Sequence, residues 1–284
     1  MTIAGRNKAR LAAIFIILFI FLIAAAAILS ILTTGKLDSN EIRLLKNETV
    51  PASMLPEFLY NLQFVKYSPA AVCFGIFACS TFSLTLLIYI YFTFKKTHAI
   101  EISFFLVFIF SIGFESLRLI FPSYNFSGIA LENIAFISRL VYFFRLAGII
   151  ALFISGIFAI KIITRQIFYV MFFGAFIAFS IVISIPVNNF AINKYFIADI
   201  KYSYSYTFII CAIAILACIN YFFVYILKNS KEYLKASIML TVITVGHWFL
   251  LYTSSFLNLI IGAALFLTGT VFYTKNIHNY HLWE

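Results

Sequence analysis

Charge is what this sequence has least of. Only 11% of its 284 residues are Asp, Glu, Lys or Arg, and ten are acidic. A soluble domain carries about 25% charged residues, so the composition excludes an ordinary soluble globule. Proline is also scarce, with five in the chain. Pro122 and Pro186 fall at the ends of apolar segments and none falls clearly inside one, which argues against the broken helices common in transporters. The four cysteines, Cys73, Cys79, Cys211 and Cys218, all lie within apolar segments. That placement excludes a secreted disulfide framework and a zinc knuckle, and fits small buried apolar residues.

What the chain has is hydrophobicity: 64% apolar residues, in runs near or above twenty that recur along its whole length. About 20 helical residues cross a bilayer core of about 30 Å. The expected architecture is a single all-α polytopic bundle of eight spans at about 11–32, 70–94, 102–121, 133–160, 167–186, 206–227, 236–252 and 257–274. The last two come from one stretch, Ala236 to Thr274, broken only at Tyr252-Thr253-Ser254-Ser255. As one helix that stretch would run about 58 Å, too long for a single crossing. A seven-span count is the alternative. The first apolar run is too long for the h-region of a signal peptide, so it reads as an uncleaved span. Between it and the second span, Leu55, Phe58, Leu59, Leu62 and Val65 recur at helical spacing, which suggests an amphipathic helix over about 55–66 lying on the outer membrane surface.

The net charge of +10 does not point to nucleic acid, because the Lys and Arg residues sit at segment ends. Eleven of the twenty fall in the N-terminal segment, the even-numbered connectors and the C-terminal tail. Basic residues concentrate on the cytoplasmic side, so both termini are expected there, in a cell membrane and most readily a bacterial inner membrane.

Against this background four charges stand out inside two apolar segments: Glu115 and Arg118 in the third span, Arg139 and Arg145 in the fourth. A charge at mid-bilayer depth costs about 2.5–3.5 kcal/mol on insertion scales, so such residues mark a partner or a cavity. Ser111, Glu115 and Arg118 share one helical stripe. Counting about 1.5 Å per residue from the outer ends places Glu115 level with Arg139 and Arg118 within reach of Glu132, leaving Arg145 near the midplane without an acid. Arg145 also heads a row of small residues, Gly148, Ala151, Ser155 and Ala159, which should turn that face into the bundle. Guanidinium is suited to bidentate recognition of carboxylate or phosphate. Glu115, Arg118, Arg139, Tyr142 and Arg145 are therefore the candidate pocket for an anionic small molecule or lipid.

In the seventh span His247, with Thr244 on the same stripe, is a candidate proton or polar relay. His278 and His281, at helical spacing in the tail, lack a third ligand, so no metal or cofactor is expected. Ser155 with His247 resembles a Ser–His dyad only in residue types, since no GxSG surrounds the serine. The function these residues point to is a non-catalytic ligand-binding or sensory bundle that works with a separate protein partner. A transporter of a small anionic or lipidic substrate and a structural subunit of a larger complex are the alternatives.

Overall fold

The computed structural model describes residues 3–35, 64–95, 99–123, 131–160 and 167–283. The expected amphipathic helix over about 55–66 lies almost wholly outside the described residues.

Among the described residues, eight helical spans are long and apolar enough to cross a membrane. They are α1 (Ile3–Thr34), α2 (Pro69–Thr93), α3 (Ile100–Gly113), α4 (Leu131–Ile160), α5 (Ile167–Ser184), α6 (Ser203–Lys228), α7 (Lys231–Leu251) and α8 (Phe256–Trp283). The third span does not end with α3. It tightens into a 3₁₀ segment, Phe114–Leu119, and closes with a last α-helical turn, Ile120–Ser123. The protein is thus a multi-pass helical membrane bundle, and the single long C-terminal run is two helices turning at Tyr252 to Ser255. Helix α8 extends to Trp283, so His278 and His281 belong to a helix rather than to a solvated tail.

The third and fourth spans form the centre. The third span is mostly buried and the fifth mostly exposed, its Phe172, Phe173 and Phe179 exposed as a lipid-facing surface would be. Helix α3 packs chiefly on α4, which also packs on α6, and α7 packs chiefly on α8. Lipid tails are as apolar as leucine, so helices in a bilayer associate through close backbone approach and polar contacts rather than through hydrophobic exclusion. Gly246 of α7 shows the first: a Cβ there would lie 2.5 Å from the backbone nitrogen of Phe266 in α8. Serine supplies the second, as Ser83 of α2 gives its hydroxyl to the Ile109 carbonyl of α3 at 2.7 Å.

The start of α1 meets the end of α2, through Arg10 and the Phe94 carbonyl, and the end of α8 meets the start of α3, through His281 and Glu101, so these ends share one side of the bundle. At the opposite end the connector after α5 folds into a two-stranded antiparallel hairpin, β1 (Val187–Ile192) and β2 (Ala198–Ile200). Its turn is organised by Asn193, whose side-chain oxygen accepts the amides of Tyr195 at 2.9 Å and Ile197 at 3.4 Å. Phe196 takes a left-handed conformation (φ 56°), uncommon for a bulky residue. Its ring is fully buried among the ends of α1 and α2, and that packing holds the backbone there. The hairpin is what roofs the polar site.

Candidate functional site

The site begins with helix geometry. Glu115 and Arg118 lie in the 3₁₀ segment, where three residues complete a turn and side chains at i and i+3 eclipse. Their ion pair, Arg118 Nη1 to Glu115 Oε2, measures 3.0 Å. The second cation is Arg145 of α4, which meets the same carboxylate side-on: Nε donates to Oε1 at 2.6 Å and Nη2 to Oε2 at 2.7 Å. All three side chains are buried, none more than 5% exposed. Three guanidinium nitrogens thus converge on one carboxylate in a water-poor interior.

This corrects the pairing read from depth. Arg139 is exposed, and Arg145, expected to be left over, is the main partner of Glu115. Two physical facts were missing from the count. Side chains on a helix lean toward its N-terminus. The third and fourth spans are antiparallel, so Arg145 leans toward the hairpin end while Glu115 leans the opposite way to meet it. In addition, a 3₁₀ segment rises about 2 Å per residue rather than 1.5 Å, which sets Glu115 deeper than an α-helical count allows. The side chain of Glu132, the acid expected to cap Arg118, lies outside the described residues.

The close approach of α3 and α4 depends on the small face of α4. Gly148, Ala151, Ser155 and Ala159 are all buried. A Cβ at Gly148 would come within 2.0 Å of the Ser111 hydroxyl oxygen. A side chain at that position, one turn from Arg145, would have to push the Ser111 hydroxyl aside, and the glycine lets the two helices close so that the guanidinium reaches across.

Backbone carbonyls supply the remaining partners. Arg118 donates from both Nε and Nη2 to the carbonyl of Tyr195 in the hairpin turn, the Nε contact measuring 2.9 Å, and from Nη1 to the Leu251 carbonyl at the end of α7 at 3.4 Å. Tyr142 donates to the Ala198 carbonyl at 2.9 Å, and the Ser138 hydroxyl accepts the Ala198 amide at 3.1 Å. Tyr206 of α6 gives its hydroxyl to the Tyr142 carbonyl at 2.7 Å. The hairpin is therefore latched on Arg118, Tyr142 and Ser138, two of which belonged to the expected pocket. None of these partners was legible from residue types, because each is a main-chain group.

Beneath the hairpin lies a cavity of about 200 Å³. Arg145, Tyr142 and Tyr206 form its floor, Asn193 and Asp199 its hairpin side, and Tyr252 closes it from the α7–α8 turn. The side-on pair with Glu115 occupies Nε and Nη2 of Arg145, which leaves Nη1 outside that pair. The guanidinium carbon also sits 5.5 Å from the centre of the Tyr142 ring, a cation–π distance. Asp199, exposed on the rim, accepts the Asn193 side-chain amide at 3.0 Å.

A protein of Treponema pallidum (strain Nichols), described only as an uncharacterized protein, is 34% identical to this chain over 193 residues. The match covers 64% of this chain, which spans about half, 56%, of the relative's length. No family model and no solved structure matches the chain.

The two relay candidates go separate ways. His247 is buried at 5.2 Å, edge to face, from the Phe108 ring and also faces Phe266. Thr244 returns its hydroxyl to the Thr241 carbonyl of its own helix at 2.9 Å. Ser155 has other partners than His247: it donates to the Glu101 carbonyl at 2.9 Å and lies 2.6 Å from the Tyr221 hydroxyl. Among the described residues no group of three potential metal ligands occurs.

A second polar cluster, at the termini end, was overlooked. Glu101 is 2% exposed; it accepts from the Tyr233 hydroxyl at 2.8 Å and lies 3.3 Å from His281 Nε2. Tyr221 continues the chain to the Tyr273 hydroxyl at 2.5 Å. Its members come from α3, α4, α6, α7 and α8. The available signal was Glu101 itself, an acid in the first turn of a helix.

Proposed function

We propose that this protein is a non-catalytic, ligand-binding membrane bundle that takes a small anionic molecule into the cavity beneath the hairpin and passes the event to a separate protein partner. The observation that carries this reading is the position of Arg145, which closes the ion triad with Glu115 and at the same time forms the cavity floor. A carboxylate is the natural counterpart of a guanidinium with a remaining donor edge. The tyrosine hydroxyls, Asn193 and Asp199 suit a ligand that also bears a hydroxyl or ammonium group. Cavities for drug-sized molecules run about 300–1,000 Å³, so this one favours something smaller.

The coupling route follows from the same contacts. An anion competing for Arg145 weakens its hold on Glu115, and Glu115 sits in a 3₁₀ segment, a backbone form that often marks a hinge. Arg118, on that segment, holds the hairpin turn. Ligand occupancy and hairpin position are thus linked through Arg145, Glu115 and Arg118. A bacterial inner membrane remains the expected setting, in keeping with the bacterial relative.

A structural reading has its own support: both carboxylate oxygens of Glu115 are already taken, as a packing staple would have them. Thermal unfolding of purified protein with a panel of small carboxylates, hydroxy acids and amino acids separates the two. The binding reading expects a stabilising shift from some member, lost in Thr207→Phe, which fills the cavity without touching the triad, while the ligand-free midpoint of that variant stays close to the parent. No shift from any member, or a shift unchanged in Thr207→Phe, refutes it. Uptake of a stabilising compound into proteoliposomes would convert the reading to a transporter.

A further inference from the structure

The termini end holds a second cavity, unrelated to the hairpin site. It is a crevice of about 410 Å³ between the start of α1, the start of α3 and the start of α5. Its walls are mainly apolar, with Ala13, Ile16, Leu106, Phe110 and Met171 along its length, and Arg6, Arg10 and Ser103 supply the polar part. Among the described residues no acidic side chain lines it.

The arginines are the unexpected feature. Basic residues flanking a first span ordinarily project into water or headgroups, and Lys8 does so. Arg6 and Arg10, four residues apart on one helical face, turn inward and are only 8% and 7% exposed. Arg10 donates Nη1 to the Phe94 carbonyl at 2.8 Å, at the C-terminus of α2, where a cation is favourable. That contact leaves most of the guanidinium unused. Nε and Nη2 of Arg10 are buried without a hydrogen-bond partner among the described residues, and so is the Ser103 hydroxyl on the facing helix. Buried polar groups are nearly always bonded, and a buried guanidinium without an anion carries a large desolvation cost.

Charge and shape together name the missing partner. A free inorganic anion would satisfy Arg10 but leave the apolar length of the crevice empty. An acyl chain alone would fill it but leave the arginine. From Arg10 to Ile16 the crevice wall runs about 9 Å along α1 at 1.5 Å per residue, continuous with the hydrocarbon depth of the span. We infer that this crevice is a binding site for one anionic phospholipid, its phosphate held by Arg10 with Ser103 and attracted by Arg6, its acyl chain lying against α1, α3 and α5.

Native mass spectrometry of the full chain, titrated with phosphatidylglycerol, phosphatidylcholine or inorganic phosphate, tests the assignment. The expected result is one tightly retained phosphatidylglycerol, with phosphatidylcholine held about tenfold more weakly, because its phosphate carries a tethered quaternary ammonium that Arg6 and Arg10 repel. Arg10→Gln should remove that preference. Ala13→Phe, which narrows the crevice without touching the arginines, should reduce retention of both lipids, so the assignment does not depend on Arg10→Gln folding. Equal retention of both lipids by the parent, or unchanged phosphatidylglycerol retention in Ala13→Phe, overturns it. Inorganic phosphate displacing phosphatidylglycerol with Ala13→Phe silent also overturns it, in favour of a simple anion site.

Discussion

Replacing Glu115 with glutamine gives the sharpest test of the polar core. The substitution keeps the volume and removes the charge that three guanidinium nitrogens share at 2.6, 2.7 and 3.0 Å. Arg118 and Arg145 would then face each other across a neutral amide in a buried site. Removing one partner of a buried ion pair costs about 3–5 kcal/mol, because the remaining charge is left uncompensated. At about 2 °C per kcal/mol for a chain of this size, the unfolding midpoint in detergent should fall by about 6–10 °C. Arg145→Met should cost a similar amount alone, since it leaves Glu115 with only Arg118. In the double variant Glu115→Gln/Arg145→Met no carboxylate is left to lose its partner, so the two losses should fall short of adding by about 2 kcal/mol or more, the size seen for residues in one network. Arg139→Gln, by contrast, should move the midpoint by about 1 °C or less, as exposed substitutions usually stay within 0.5 kcal/mol. Additive losses from Glu115 and Arg145, or an Arg139 variant as damaging as Arg145→Met, would refute the triad.

Other consequences follow from the same contacts. Gly148→Val should destabilise by about 2 kcal/mol or more, because its side chain would enter the space of the Ser111 hydroxyl; adding Ser111→Ala should recover part of the loss in a thermal melt. Arg118→Lys keeps the charge but loses the fork that grips the Tyr195 carbonyl, so backbone amides of the hairpin should exchange hydrogen faster while those of α7 change little. Glu101→Gln, which weakens the contacts to Tyr233 and His281, should raise exchange in the last turns of α8 without affecting the hairpin. A cysteine at position 36 should label with impermeant maleimide in intact cells and one at position 229 only after the cells are opened; the reverse pattern would invert the expected orientation.

The residues themselves determined the membrane class, the number of crossings and the sites where charge enters the bilayer. Hydrophobic length and the cost of burying charge are local properties that do not depend on which helices become neighbours. The break at Tyr252 to Ser255 and the inward row of small residues on α4 were legible for the same reason. Partnership is different, because it depends on how far a side chain leans, on a 3₁₀ segment that no residue type announces, and on main-chain carbonyls that every residue carries. So Arg139 was given the acid that Arg145 holds, and neither Glu101 nor the hairpin stood out. Only the tertiary structure could decide that Glu115, Arg118 and Arg145 form one triad, and that the hairpin roofing it is held by the same arginine that pairs the acid.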